Sequence, residues 1–387
     1  MRRLTVVQLL PALESGGVER STIEIAEALI RAGHRAVVVS AGGRLLDALE
    51  KTGAEHVDLD IGRKSPLTLR HVPTLRRLFA ETRADIVHAR SRLPAWLGWL
   101  ALRGMASPKP AASGLSAAGP HFVTTMHGLN SPGRYSAIMA RGERVICVSN
   151  TVRDYLLRHY SDIDPAKLRV IPRGIDPAQF PRAPRPDAAA RARIASEHPR
   201  LGGDGPLLLL PGRGTRLKGH ADALRLLAGL RRAGDDARLW LPGARERGRE
   251  DYIAEMENEA AMLDVADAIA FTPPTARIAE AYAASDLVLQ LSRKPEAFGR
   301  TVIEALSVGR PVLGWAHGGV GELLAELQPP GAVAPIDEAA LLRAARSLLA
   351  QAPPPLATMP YTLCAMQDAT LALYLELAGH DAEPADR

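Results

Sequence analysis

The chain of 387 residues holds only two cysteines, Cys147 and Cys364. That is too few for a disulfide framework or a cysteine-rich zinc site, and it fits a reducing cytoplasm with both thiols buried as small hydrophobes. Aromatic residues make up 4% of the sequence, little material for the stacking platforms on which single-stranded nucleic acids are read. No apolar stretch approaches the roughly 20 residues of a membrane-spanning helix. The run from Leu4 to Leu13 follows Met1-Arg2-Arg3 but meets Glu14 and Glu19 with no small-residue cleavage site. It reads as a first strand, not a signal peptide. Metal-ligand signatures such as H-E-x-x-H or a cysteine pair are missing, which predicts no metal. The G-x-S-x-G elbow of serine hydrolases is missing as well.

What is present is a globular composition, 47% hydrophobic and 24% charged, which excludes a disordered chain. Its 33 Gly and 30 Pro follow no collagen period. At roughly 100–200 residues per domain, the length predicts two domains, each with its own core. The net charge of +5 is uneven: residues 1–175 hold 25 Lys and Arg against 15 Asp and Glu, whereas the remainder has a balance of −5. A basic first half points to an anionic partner, whether phosphorylated substrate, acidic lipid surface or nucleic acid; an Arg-rich surface with no such role is the alternative.

Short apolar runs without alternation recur between helical stretches. Strands are expected over 4–10, 36–40, 85–88, 122–126, 144–148 and 169–171, and helices over 18–32, 44–52, 67–82, 94–103 and 150–159. Such strands suit a parallel sheet buried on both faces, and their alternation with helices suits a doubly wound α/β domain. Residues 176–206, dense in proline, read as a linker with a short helix at most. Alternation resumes with strands over 207–211, 238–241, 268–271, 287–291 and 311–314, and helices over 218–232, 250–263, 278–284, 300–308, 319–327 and 338–350. A proline cluster at 353–355 precedes a final amphipathic helix over about 361–378. The expected organisation is an N-terminal domain, 1–176, which the C-terminal segment 361–387 rejoins, and a second domain, 177–360. The two Rossmann-like domains would face each other across a cleft.

Three loops carry candidate chemistry. Gly16-Gly17 after the first strand lets backbone approach a ligand, with a helix N-terminus behind it that attracts anions. The stretch is neither a G-x-G-x-x-G fingerprint nor a P-loop. Gly212-Arg213-Gly214-Thr215-Arg216-Leu217-Lys218-Gly219 opens the second domain's first crossover. Two or three cations on a glycine-rich loop at a strand end suit a diphosphate, Arg as a bidentate fork and Lys as a point charge. Glu296 and Glu304 lie eight apart around Phe298-Gly299-Arg300-Thr301. Carboxylates accept from vicinal sugar hydroxyls, and the N–H groups at a helix start suit phosphate. His127, His88 and His317 each stand at a strand end or before a helix.

Taken in order, these motifs resemble a family-4 (group 1) retaining glycosyltransferase of the GT-B fold, over nearly the whole chain. The resemblance rests on Gly16-Gly17, His127-Gly128, Val148-Ser149-Asn150, the stretch from Ile171 to Asp176, Gly212-Arg213 with Lys218-Gly219, and the E-x7-E pair Glu296/Glu304. It implies transfer of a sugar from a nucleotide diphosphate sugar with retention, no cofactor and no metal. Arg213 and Lys218 would hold the diphosphate, Glu304 the ribose and Glu296 the donor sugar. His127 would lie near sugar and acceptor, and Gly16-Gly17 near diphosphate and acceptor. Arg173 stands where the family commonly has Asn, and Ala297 where it often has Gly or Pro. The segment from His88 to Trp96 resembles the bacterial branch that builds surface polysaccharide, including lipopolysaccharide, which makes Arg90, Arg92 and Arg173 acceptor candidates. Expected partners are a nucleotide sugar, a glycan or lipid-linked acceptor and an anionic membrane surface, with no nucleic acid. The expected place is the cytoplasm, peripheral at the inner face of its membrane. A nucleotide-sugar epimerase of the same fold and a basic nucleic-acid-binding protein are the competing readings.

Overall fold

The computed structural model describes residues 2–14, 16–105, 119–183 and 185–379. The chain forms two compact units, one of residues 1–172 with 363–387 and one of residues 173–362. The boundaries lie four residues before and two after those expected from sequence.

In the first unit, β1 (Thr5–Leu9), α1 (Gly17–Arg31), β2 (Arg35–Ser40), α2 (Leu46–Glu50) and β3 (Glu55–Asp58) wind in one direction. The chain then returns to the other side of β1 through α3 (His71–Glu81), β4 (Ile86–Ala89), α4 (Arg92–Leu102), β5 (His121–Met126), β6 (Arg144–Cys147), α5 (Asn150–His159) and β7 (Leu168–Val170). All seven strands are parallel, in the order β3-β2-β1-β4-β5-β6-β7. Val6, Val7 and Leu9 are fully buried, as a strand covered by helices on both faces requires. α1 turns Ile25, Ala26 and Leu29 inward, the isoleucine and the leucine each contributing about 1.5–3 kcal/mol by burial. α5 starts where Ser149 Oγ accepts from the Val152 N–H at 3.1 Å, a side-chain cap for an otherwise orphaned donor.

The second unit repeats the plan. Residues 176–206, read from sequence as a linker, hold the ten-residue helix α6 (Ala188–Glu197), capped by Asp187 and packed on a later helix of this unit. Then come β8 (Leu207–Leu209), α7 (His220–Arg232), β9 (Arg238–Pro242), α8 (Glu250–Met262), β10 (Ile269–Thr272), α9 (Ile278–Ala284), β11 (Leu287–Gln290), α10 (Arg300–Val308), β12 (Val312–Trp315), α11 (Gly318–Leu327), β13 (Ala332–Val333) and α12 (Glu338–Ala350). The sheet is parallel, in the order β10-β9-β8-β11-β12-β13, around a core that includes Leu208, Leu239, Leu289, Leu313 and Trp315.

The last helix, α13 (Leu363–Leu377), belongs to the first unit, as expected, and packs against α1. Its Tyr374 is fully buried and meets His88 Nδ1 at 2.5 Å, while His88 Nε2 meets Thr125 Oγ1 at 2.6 Å. His88 is therefore a bonded core residue. Cys147 is buried and burial pushes its thiol up to about 12, so it is inert. Cys364 corrects the expectation of two buried thiols: it is exposed on α13, 3.2 Å from Asp368.

In both sheets the strand order reverses direction at one place, between β1 and β4 in the first unit and between β8 and β11 in the second. Open α/β sheets bind ligands outside the carboxyl ends of the strands at such a switch point.

Candidate functional site

The switch point of the second unit is built from the loops after β8 and β11. Gly212 takes a φ of 154°, and its N–H donates to Pro242 O at 3.0 Å, which carries the pairing with β9 past the end of β8. Gly219 has a φ of 76°, and a Cβ there would fall on the carbonyl of Leu291; only glycine lets the two loops close on each other. The Arg293 N–H donates to Leu217 O at 2.8 Å. Beneath them Asp222, fully buried on α7, receives the Arg293 guanidinium through two hydrogen bonds of 2.8 and 2.6 Å, and this pairing raises the Arg293 pKa.

On that frame Lys218 Nζ donates to Glu296 Oε1 at 2.6 Å, with the side chains 29% and 25% exposed. Ser292 Oγ donates to the same oxygen, and Gln290 Nε2 lies 3.5 Å from the other. His317 Nε2 donates to Ser292 O at 2.8 Å, and the Gly319 N–H donates to Glu296 O at 2.7 Å. A Cβ at Gly318 would meet Glu296 backbone at 2.6 Å, and one at Gly319 would meet Phe298 Cα at 2.5 Å. Sequence reasoning passed over Gln290, Ser292, Asp222, Arg293 and the packing role of Gly318-Gly319. A serine four before the first glutamate and paired glycines opening α11 were the available signals.

Arg213 is exposed, and its side chain has no hydrogen-bond or ion-pair partner among the described residues. Arg216 is different: it forms a two-pronged ion pair with Glu255 and lies 5.5 Å over the Tyr252 ring. The loop therefore offers Arg213 and Lys218, not three cations. His220, at the start of α7, is fully buried, 3.2 Å from Tyr252 Oη. Burial and the neighbouring Lys218 charge push its pKa down to about 4.

No side chain caps α10, whose N-cap is Gly299 at a φ of 129°, so its first N–H groups point toward the loops. Thr301 is half-buried there. The Phe298 ring is buried, 5.8 Å from Tyr361, so this residue offers backbone only. The Arg300 guanidinium donates to Gly174 O at 2.9 Å and lies 3.9 Å from Glu304 of its own helix. Glu304 is buried and accepts from Tyr282 Oη at 2.8 Å. Arg173, half-buried, opens this unit beside Gly174.

In the first unit Gly16, at a φ of 148°, is the N-cap of α1 and Gly17 its first residue, with no side-chain cap. A Cβ at Gly17 or Gly128 would meet nothing within 4 Å among the described residues, so packing against those residues does not call for glycine at either place. His127 is half-buried just past the end of β5. Arg92 lies 5.3 Å over the Tyr135 ring and donates to Ser136 Oγ at 3.3 Å. Arg90, an acceptor candidate from sequence, is turned inward. It is 2% exposed, donates to Gln8 Oε1 at 2.8 and 2.5 Å and to Ser21 Oγ at 3.2 Å, and burial lowers its pKa. It braces the β1/β4 switch point from within.

Among the described residues no group of three or more His, Cys, Asp or Glu is placed to hold a metal ion. No described helix is long and apolar enough to cross a membrane.

Two Rossmann-like parallel-sheet units, the second with a cation–carboxylate site at its switch point, define an α/β protein of GT-B architecture. Residues 15–179 match the model of Glycosyltransferase Family 4 and residues 193–359 that of Glycosyl transferases group 1; the chain belongs to the group 1 glycosyltransferases. It is similar to a glycosyltransferase from Rickettsia africae ESF-5, with 28% identity and a TM-score of 0.84 over 98% of this chain and 100% of that one. The Anabaena protein Alr3699/HepE, crystallised with UDP and glucose, shares the fold at 18% identity and a TM-score of 0.72, over 97% and 98% of the two chains. A D-inositol 3-phosphate glycosyltransferase of Kineococcus radiotolerans is 30% identical over 261 residues, 62% of this chain and 56% of that protein. The chain thus spans little more than half the length of the curated relatives it matches.

Proposed function

We propose that the chain transfers a sugar, with retention, from a nucleotide diphosphate sugar to a glycan or lipid-linked acceptor of the bacterial surface, lipopolysaccharide included. The second unit would bind the donor and the first the acceptor, at the inner face of the cytoplasmic membrane and without a metal. The observation that carries this is the Lys218–Glu296 ion pair at the switch point, beside the unpartnered Arg213. Family membership and the UDP complexes of a protein sharing the fold support it.

The chemistry follows from the groups present. A departing nucleoside diphosphate gains negative charge, and fixed cations with the α10 N–H groups stabilise it more in the transition state than in the ground state. Lys218 would exchange Glu296 for the diphosphate, and the released Glu296, still held by Ser292, would accept from donor sugar hydroxyls. The leaving phosphate oxygen would take the acceptor proton on the same face, which gives retention without a protein nucleophile.

Thermal unfolding with UDP-, GDP- and ADP-sugars tests the donor. A true donor at 100 times its dissociation constant adds about 2.7 kcal/mol; no protection by any of them removes the reading. Product analysis with and without acceptor separates transfer from epimerisation. D-inositol 3-phosphate belongs among the acceptors, given the names of the curated relatives.

A further inference from the structure

The positive charge of the first unit is confined to one stretch. Residues 61–142 hold 12 Lys and Arg and two acids, Glu81 and Asp85, whereas the other residues up to 175 hold 13 of each sign. The fold gathers much of this stretch together. A turn at Pro66–Arg70 leads directly into α3, α3 packs on α4, and α4 packs on the turn Ser136–Ala140. Arg63, Lys64, Arg70, Arg77, Arg103 and Arg141 are exposed. Arg76 ties α3 to the end of α4 by donating to Ala101 O at 3.1 Å.

Two leucines stand out on that turn, Leu67 at 72% and Leu69 at 52% exposure. A single exposed leucine is ordinary, but these two stand on one turn among cations with no acid between Asp60 and Glu81. Farther along α4, Trp96 and Trp99 meet edge-to-face at 5.6 Å, and Trp96 Nε1 donates to Tyr135 O at 2.9 Å. Arg103 and Arg141 cover the Trp99 ring at 4.8 and 4.9 Å.

We propose that the turn Pro66–Arg70 with α3 and the α4 end is a membrane-docking surface for an anionic bilayer, the leucines entering the acyl boundary and the arginines resting on headgroups. This names the surface behind the peripheral placement above. Exposed apolar side chains flanked in sequence by Arg63, Lys64 and Arg70, in a unit that also carries Trp96, Trp99 and Tyr135, have the composition of an interfacial anchor. The sign of the charge selects anionic lipid. The arrangement disfavours nucleic acid, because Trp96 and Trp99 already engage each other edge-to-face and Arg103 and Arg141 over their rings.

Flotation of the full chain with vesicles of phosphatidylcholine alone, or mixed with phosphatidylglycerol, tests the proposal in low and high salt. The protein should bind only the mixed vesicles, more weakly in high salt, as surface electrostatics require. The Arg70→Glu/Arg77→Glu variant should lose at least about 25-fold in partition, at roughly fivefold per cation. Leu67→Ser/Leu69→Ser should bind more weakly yet keep the salt dependence. An unchanged unfolding midpoint shows that each variant is folded, and donor protection measured alongside keeps the sugar-transfer reading separate. Absence of flotation with phosphatidylglycerol in low salt, or equal flotation by the arginine variant, overturns the proposal. Capture of a single-stranded DNA oligomer through the same arginines, with no vesicle binding, overturns it in favour of nucleic acid.

Discussion

The two switch points of this molecule have the same topology and opposite chemistry. Between β1 and β4 the polar groups turn inward: Arg90 is 2% exposed and bonded to Gln8 and Ser21. Between β8 and β11 they sit at the rim, where Lys218 and Glu296 pair at about a quarter exposure and Arg213 stands open. A buried brace cannot change partners without leaving a desolvated group unsatisfied, which costs about 1–3 kcal/mol. A rim pair exchanges its partner for a ligand at little cost, because water and the incoming anion replace what is lost. Topology thus fixes where a ligand can bind, and the direction of the side chains decides whether one does.

The sharpest test of that contrast is turnover. Arg213→Ala and Lys218→Ala should each lower transfer about 10²–10³-fold at saturating acceptor, with unfolding midpoints near wild type. The double variant should fall short of the product of the singles, since both act on one diphosphate. Two near-silent single variants would make the loop a solvated surface and leave the comparison without its functional half.

Acid sensitivity should also mark the second unit. His220 has its folded pKa depressed to about 4 from 6.5. Below about pH 6.5 the unfolded chain takes a proton that the folded one refuses, so stability is complete above that pH and falls toward pH 4. The loss reaches roughly 3 kcal/mol at most, at about 1.4 kcal/mol per pH unit. Urea unfolding at several pH values should show this slope in the wild type and a flatter one in His220→Phe; equal slopes would sink the assignment.

Arg90→Met should lower stability by about 1–3 kcal/mol through the orphaned Gln8, with the KM for acceptor unchanged. A raised acceptor KM in the folded variant would return Arg90 to the acceptor site. Glu304→Ala should weaken nucleotide binding roughly tenfold or more, since a hydrogen bond to a charged group is worth about 1.5–3 kcal/mol; equal UDP, GDP and ADP affinities in a folded variant would remove Glu304 from the ribose. The smallest effect has the opposite sign. Glu296→Gln should tighten UDP binding about two- to fivefold, an exposed ion pair of under about 1 kcal/mol no longer competing for Lys218, while turnover falls. Calorimetry decides it, and weaker UDP binding would show that Lys218 needs Glu296 to position it.

The parallel strands of both cores were legible because buried apolar runs such as Val6–Val7 and Leu207–Leu209 mark themselves. β3 and β13 were not. Glu55-His56-Val57-Asp58 is a polar edge strand, and Ala332–Val333 is two residues long. α6 was concealed by flanking prolines and arginines, although Asp187 caps it. At the site, spacing brought out Lys218, Glu296 and Glu304 but not their partners. The Lys218–Glu296 contact joins residues 78 apart, and the Arg90–Gln8 bond joins residues 82 apart. Whether an arginine near a strand end faces solvent or core depends on such distant pairings, and the burial of Arg90 had no local signal.

The position of α13 bears on how the protein is made. His88 finds Tyr374 only 286 residues downstream. At roughly 5–20 residues per second of synthesis, that is on the order of 15–60 seconds on the ribosome. Throughout that interval the first unit, although translated first, waits with the α1 surface uncovered and His88 short of a partner, while the second unit is translated whole before α13 appears. The domain that begins the chain is thus the one completed last, and excising it for separate expression requires splicing 363–379 onto 2–172, since a cut at the domain junction leaves it without α13.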